Sequence, residues 1–150
     1  MAHEPVNHPL RPVYRALAGL TGLYVLVFGI IGVVRTGGGD VFAREDTVVL
    51  GLRTNAGFSI ISVVAGIVIF AGVAVGRNVD RFVNKWGGYA FLGVGMVALA
   101  LLRTDANYLN FSMTTCIVSF VIGMVLLTAG LYGKLGTAQD AAAEGAFRHG

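Results

Sequence analysis

A chain of 150 residues that is 55% hydrophobic and only 13% charged, with a mean hydropathy of +0.75, lies well outside the range of soluble domains, so its apolar excess must face lipid. The formal charge of +3 does not mark a nucleic-acid binder, because the 11 Lys and Arg residues come in ones and twos along the chain and form no basic patch. A single cysteine, Cys116, excludes an internal disulfide, a CxxC thiol relay and a cysteine-rich zinc site.

Residues 1–15 hold all three prolines, Pro5, Pro9 and Pro12, and are predicted to be a poorly ordered tail. The first apolar run, Ala16 to Val34, follows Arg11 and Arg15 as a secretory signal core follows its basic region. It outlasts the roughly 7–15 residues of such a core, however, and Arg35-Thr36-Gly37-Gly38-Gly39 offers no cleavage pattern, so it is expected to stay as an anchor. Three more uncharged runs follow: Ala56 to Val75, Trp86 to Leu102 and Phe111 to Tyr132. Each is near or above the roughly 17 residues at which a helix spans about 30 Å of hydrocarbon. They are apolar all round, unlike the helices of a soluble bundle, and they lack the alternation of spanning strands. The predicted fold class is therefore an all-α membrane protein with four transmembrane helices over residues 16–132. A C-terminal tail over 133–150 is predicted to be poorly ordered, since Gly136 to Gly150 has little apolar content with which to pack.

Basic residues in short loops stay on the cytoplasmic side. The tails and the second loop hold seven, Arg11, Arg15, Arg77, Arg81, Lys85, Lys134 and Arg148, against four, Arg35, Arg44, Arg53 and Arg103, in the other two loops. Both termini are thus expected in the cytoplasm, with the protein in the cell membrane. Within the second loop, Val79, Phe82, Val83 and Trp86 recur at helical spacing among charged residues. That pattern fits either an interface-lying helix or an early start of the third helix. Tyr14, Trp86, Tyr108 and Tyr132 fall near helix ends, where aromatic rings mark the headgroup zone.

The chain also resembles itself. Residues Ser59 to Val68 match Cys116 to Val125, with identities at Ile60, Ser62, Val64, Gly66 and Val68, and Val34-Arg35-Thr36 corresponds to Leu102-Arg103-Thr104. Either two helical hairpins are duplicated in the same orientation, or two membrane helices align because both use a small alphabet. Small residues four apart let helices approach in lipid, which makes Ser62, Gly66, Gly72, Gly76, Thr115, Ser119 and Gly123 candidate packing positions. On this basis helices two and four are the expected central pair.

With Arg53-Thr54-Asn55 opening helix two, Arg103-Thr104-Asp105 before helix four, and Gly66 and Gly123 at matching depths, the organisation resembles a family of small four-helix membrane proteins of high-GC Gram-positive bacteria known only as a domain of unknown function. The resemblance covers roughly residues 12–135 and implies no activity. Members of that family commonly carry histidines after the asparagine corresponding to Asn55, whereas this chain has Gly57, Phe58 and Ser59, so no histidine-dependent role carries across.

No predicted helix contains an ionisable residue, the usual pointer to proton relays and coupled transport. His3, His8 and His149 lie in the tails; Met96, Met113, Met124 and Cys116 are more simply packing residues than haem ligands. His3-Glu4 with His8 is a weak metal set, and Arg35-Thr36-Gly37-Gly38-Gly39-Asp40 lacks phosphate-loop spacing. Asp105, Asn107 and Asn110 form the densest polar cluster beside a helix start; capping helix four is the expected role, an outward polar ligand site the alternative. No cofactor, metal or catalytic residue is expected. The composite expectation is a non-enzymatic structural or accessory protein associating with membrane proteins, lipids or copies of itself. The alternative is a small-solute or lipid carrier or channel lined by Ser59, Ser62, Ser112, Thr114, Thr115, Cys116 and Ser119.

Overall fold

The first helix, α1, runs from Arg11 to Thr36. Pro12 fits its first turn, where no intrahelical N–H bond is needed, and Gly37 ends it in the left-handed conformation, donating its N–H to Val33 O. At 1.5 Å per residue α1 is about 39 Å long, more than a bilayer core requires. The computed structural model describes residues 4–44 and 46–149. Helix α2 spans Ala56–Val75, α3 Val79–Leu101, α4 Met113–Leu131 and α5 Ala138–His149. Before α2, a small antiparallel hairpin pairs β1 (Val48–Val49) with β2 (Leu52–Arg53), turning at Leu50 and Gly51 with φ of 47° and 83°. The fold is otherwise all-α.

Among the described helices α1, α2 and α4 are long and apolar enough to cross a membrane, an architecture of membrane-protein type. The expected third span lies within α3, which has the length but carries Asp80, Arg81, Asn84 and Lys85 in its first two turns. Residues 79–86 are thus the early start of α3 and not a separate interface helix. The turn into it is compressed to Gly76, Arg77 and Asn78, all at positive φ. Residues 133–150 are not featureless either. Asp140 and Thr137 cap α5 reciprocally, and the N-terminal segment pairs with the same region, Asn7 bonding Lys134 and Gly136.

The close helix pairs are α1 with α2 and α3 with α4, while the two hairpins meet each other more lightly along α2–α3 and α1–α4. This corrects the expectation of a central pair formed by helices two and four. A Cβ on Gly66 would lie 2.5 Å from the backbone nitrogen of Leu26 in α1, and one on Gly123 would lie 2.8 Å from Leu92 Cγ in α3. Gly72 faces Val83 of α3, and Gly76 lies beside Arg15. In a lipid setting such bare backbone gives helices the van der Waals contact that the hydrophobic effect cannot supply. The two hairpins use equivalent positions. Gly22 approaches Phe70 as Gly88 approaches Leu127, and Gly29 approaches Val63 as Gly95 approaches Phe120. These pairs are related by 66 positions in α1 and α3 and by 57 in α2 and α4. The Val34-Arg35-Thr36 match with Leu102-Arg103-Thr104 was two positions out of this register.

Candidate functional site

Polar groups tie the hairpins together at both ends. At the end that carries both termini, the buried Asp80 of α3 receives Arg11 at 2.9 Å and Arg15 at 3.1 Å from α1. Arg11 also donates to Gly133 O, just beyond α4, and Asn78 exchanges two hydrogen bonds with Leu135. Glu4 pairs with Arg81 and Lys85, so its carboxylate is occupied. His8 rests against the rings of Tyr14 and Tyr132, and His3 lies outside the described residues. Glu4 and His8 thus have other partners, and the weak set they form with His3 lies partly outside the described residues.

At the opposite end Asn55 is fully buried. Its Oδ1 accepts Phe58 N–H, capping α2, and its Nδ2 donates to Tyr108 O at 2.7 Å and to Ala43 O. Thr54 and Ser59 hydroxyls lie 2.8 Å apart beside it, and Asn110 Nδ2 reaches Thr54 O. The cluster of Asp105, Asn107 and Asn110 does not converge on a ligand. Asn107 closes its own turn through Phe111, Asn110 is buried in the left-handed conformation, and exposed Asp105 lies 3.9 Å from Arg44. Nor do these residues cap α4: Ser112 and Thr115 do so with a reciprocal capping box.

Between the two polar ends, and between the hairpins, lies an apolar cavity of about 200 Å³. Its floor joins the core around Val25, Ile122 and Leu126. Towards the opposite end Phe58 packs between Phe28, tilted at 60°, and Phe111, edge-on at 77°, with ring centroids at 5.3 and 5.4 Å. The lining follows the same register as the glycines. From α1 and α3 come Tyr24 and Ala90, Val25 and Phe91, Phe28 and Val94; from α2 and α4 come Phe58 and Thr115, Ile61 and Val118, Ser62 and Ser119, Ala65 and Ile122. Only Leu52, from the β-hairpin, has no counterpart. A second apolar space of about 500 Å³ runs between α2 and α3 and shares Phe58, Ile61, Ala90 and Val94 with the cavity. Ile61 and Val94 are about half exposed, so the cavity opens sideways, towards the surface that would face lipid.

Of the residues suggested for a polar path, the structure brings Ser62, Thr115 and Ser119 to this cavity. Ser59 is engaged with Thr54 and Asn55, Ser112 caps α4, Thr114 is exposed, and Cys116 packs with Ala98 and Phe111. Sequence reasoning missed the aromatic and apolar lining of α1 and α3. The signal for it was the recurrence of Gly22-x3-Leu26-x2-Gly29 as Gly88-x3-Leu92-x2-Gly95.

A family model described as a domain of unknown function, DUF4383, matches residues 15–132. No curated protein and no solved structure gives a match.

Proposed function

For a chain that belongs to the DUF4383 family over residues 15–132, a family whose description assigns no activity, we propose a non-enzymatic membrane protein that takes an apolar molecule from the bilayer into the space between its hairpins. In this reading α1 to α4 form a four-helix bundle crossing the cell membrane four times, with both termini in the cytoplasm, and the two hairpins descend from one duplicated unit. The cavity supports it: it is lined without a single charged side chain and opens towards lipid between α2 and α3. Such concave, mostly apolar spaces with a few polar groups are the usual form of a small-molecule site.

Three further observations support the arrangement in the membrane. Large apolar side chains such as Leu20, Ile60, Val64, Met96, Ile117 and Val121 point outward, as lipid-facing residues do. On α3 the exposed Trp86 is in ring contact with the exposed Phe82 and Tyr89, near the helix start where aromatic rings suit a headgroup boundary. The basic residues Arg11, Arg15, Arg77, Arg81 and Lys85 gather at the end with both tails, which favours the cytoplasm there. Gly66, Gly72 and Gly123 are consumed by packing within the protein. This weakens the idea of an accessory subunit that recruits a membrane protein or a second copy through those stripes, and leaves lipid as the favoured partner.

Native mass spectrometry of the full chain extracted from its own membranes tests this reading. A retained apolar molecule is expected, and it should be lost when the cavity is filled by Ala65→Phe or Ala90→Phe. Equal mass profiles for the wild type and both filled variants would overturn it. Orientation is tested by single cysteines at Gly38 and Arg77 in a Cys116→Ala background: Gly38 should label from outside and Arg77 from inside, and the reverse pattern would invert the topology. A carrier is the second reading. It is favoured by the light contact between hairpins that are each tightly locked inside, and it requires flux of the retained molecule between proteoliposome leaflets.

A further inference from the structure

We infer that the cavity holds the uncharged polar head of a single-chain amphiphile, a hydroxyl or carbonyl group at the end of a hydrocarbon chain, with the head hydrogen-bonded to Ser119 and the chain lying between α2 and α3. This deepens the reading of the cavity as a lipid site and rests on it.

The observation that points to a head group is an asymmetry between two equivalent serines. Ser62 and Ser119 both line the cavity and each is 5% exposed. The Ser62 hydroxyl donates to Phe58 O, one turn back, at 2.8 Å, the ordinary solution for a serine inside a helix. Among the described residues the Ser119 hydroxyl has no such bond. Of the other two hydroxyls in the lining, that of Thr115 is held by Ser112 in the capping box, and that of Tyr24 belongs to a side chain that is only partly buried. The Ser119 hydroxyl is thus a donor and acceptor open to the cavity, with no hydrogen-bond partner among the described residues.

The rest of the ligand follows from shape and charge. An apolar cavity of about 150 Å³ takes a benzene-sized molecule, so the cavity at about 200 Å³ holds a small head or a short chain segment and not a whole lipid. The adjoining space of about 500 Å³ between α2 and α3 continues from it through Ile61 and Val94 and has the form of a channel for a chain. No Lys, Arg, Asp or Glu lines either space, and a charged head would be desolvated there without a counter-ion. Phosphate and carboxylate heads are thereby disfavoured, while an alcohol or a carbonyl is accommodated.

The test uses the full chain in nanodiscs and dodecanol carrying a diazirine in its chain as photolabel, with mass-spectrometric mapping and competition by unlabelled dodecanol, dodecane and dodecanoate. The label should map to Ile61 and Val94 and be displaced by dodecanol about fivefold better than by dodecane, the ratio that one net hydrogen bond of ordinary strength confers. Ser119→Ala should remove that preference, and Thr114→Ala, at an exposed hydroxyl outside the cavity on the same helix, should keep it. Labelling in the groove with dodecane and dodecanol equal, or with Ser119→Ala unchanged, overturns the head-group assignment and leaves the lipid cavity standing. Dodecanoate as the best competitor overturns the uncharged head. Labelling scattered over the outer surface and insensitive to all three competitors overturns the cavity reading as well.

Discussion

The side-chain amide of Asn55 donates to the carbonyl of Tyr108 at 2.7 Å while its oxygen accepts the Phe58 amide at 2.9 Å, so one buried residue caps α2 and fastens the far hairpin to it. Asn55→Ala removes a cap and strands a carbonyl, and together these should cost about 2–4 kcal/mol. Asn55→Ser keeps a capping oxygen and isolates the loss of the donor, so it should cost less. Thermal unfolding in detergent ranks the three proteins; equal midpoints for wild type and Asn55→Ala would contradict the bond.

Close packing inside the hairpins makes one glycine indispensable and another replaceable. A Cβ on Gly66 would meet the Leu26 backbone at 2.5 Å, whereas one on Gly93 meets nothing within 4 Å. Gly66→Ala should destabilise by about 1–3 kcal/mol through overpacking. Gly93→Ala should be neutral or stabilising by up to about 1 kcal/mol, because alanine favours helix. Opposite signs in the same unfolding assay are the expected result.

Asp80 is almost inaccessible, and Arg11 is less exposed than Arg15, 13% against 36%. Removing one member of a buried ion pair leaves the other uncompensated, so Asp80→Asn should cost about 3–5 kcal/mol. Arg11→Gln should cost more than Arg15→Gln, whose partner bond is better screened by solvent. A thermal-shift series on the three variants checks the order, and an Arg15 effect larger than that of Arg11 would contradict it.

The cap of α5 carries a pH signature. Asp140 accepts the backbone N–H and the hydroxyl of Thr137, each at 2.8 Å, and these bonds, the backbone one first, hold its carboxyl below the ordinary value of 3.8. A lowered pKa in the folded state means that the cap contributes above 3.8 and is lost as pH falls through the lowered value. The Thr137 amide proton resonance should titrate with a midpoint under 3.8, and Thr137→Ala should raise the Asp140 midpoint towards it. A wild-type midpoint above 3.8 would refute the cap.

Much of the secondary structure was legible because the lipid requirement is blunt. A helix that must satisfy its own backbone across a bilayer needs an uninterrupted apolar run, and the run Ala56 to Val75 reproduces α2 to the residue. The run Phe111 to Tyr132 brackets α4 closely, the true start being set by the Ser112 cap. The early start of α3 was written as a helical spacing but could not be told from a surface helix, because both satisfy the same periodicity. The correspondence of Ser62 with Ser119 and of Gly66 with Gly123 was also legible, as positions on two helices that align with each other.

Which neighbour each small residue faces was decided only in three dimensions. A helix that is apolar on every side carries no polar face to reveal its rotation, so Gly66 and Gly123 were recognisable as packing positions while their partners, Leu26 and Leu92, were not. The pairing of Asp80 with Arg11 across 69 residues and of Asn55 with Tyr108 across 53 likewise depends on how the hairpins are set side by side. The cavity belongs to that same level. Its walls come from α1, α2, α3 and α4, and the hydroxyl of Ser119 differs from that of Ser62 in lacking, among the described residues, the bond that Ser62 makes one turn back. Sequence alone determines which segments suit lipid; the helix rotations determine where polar groups find partners.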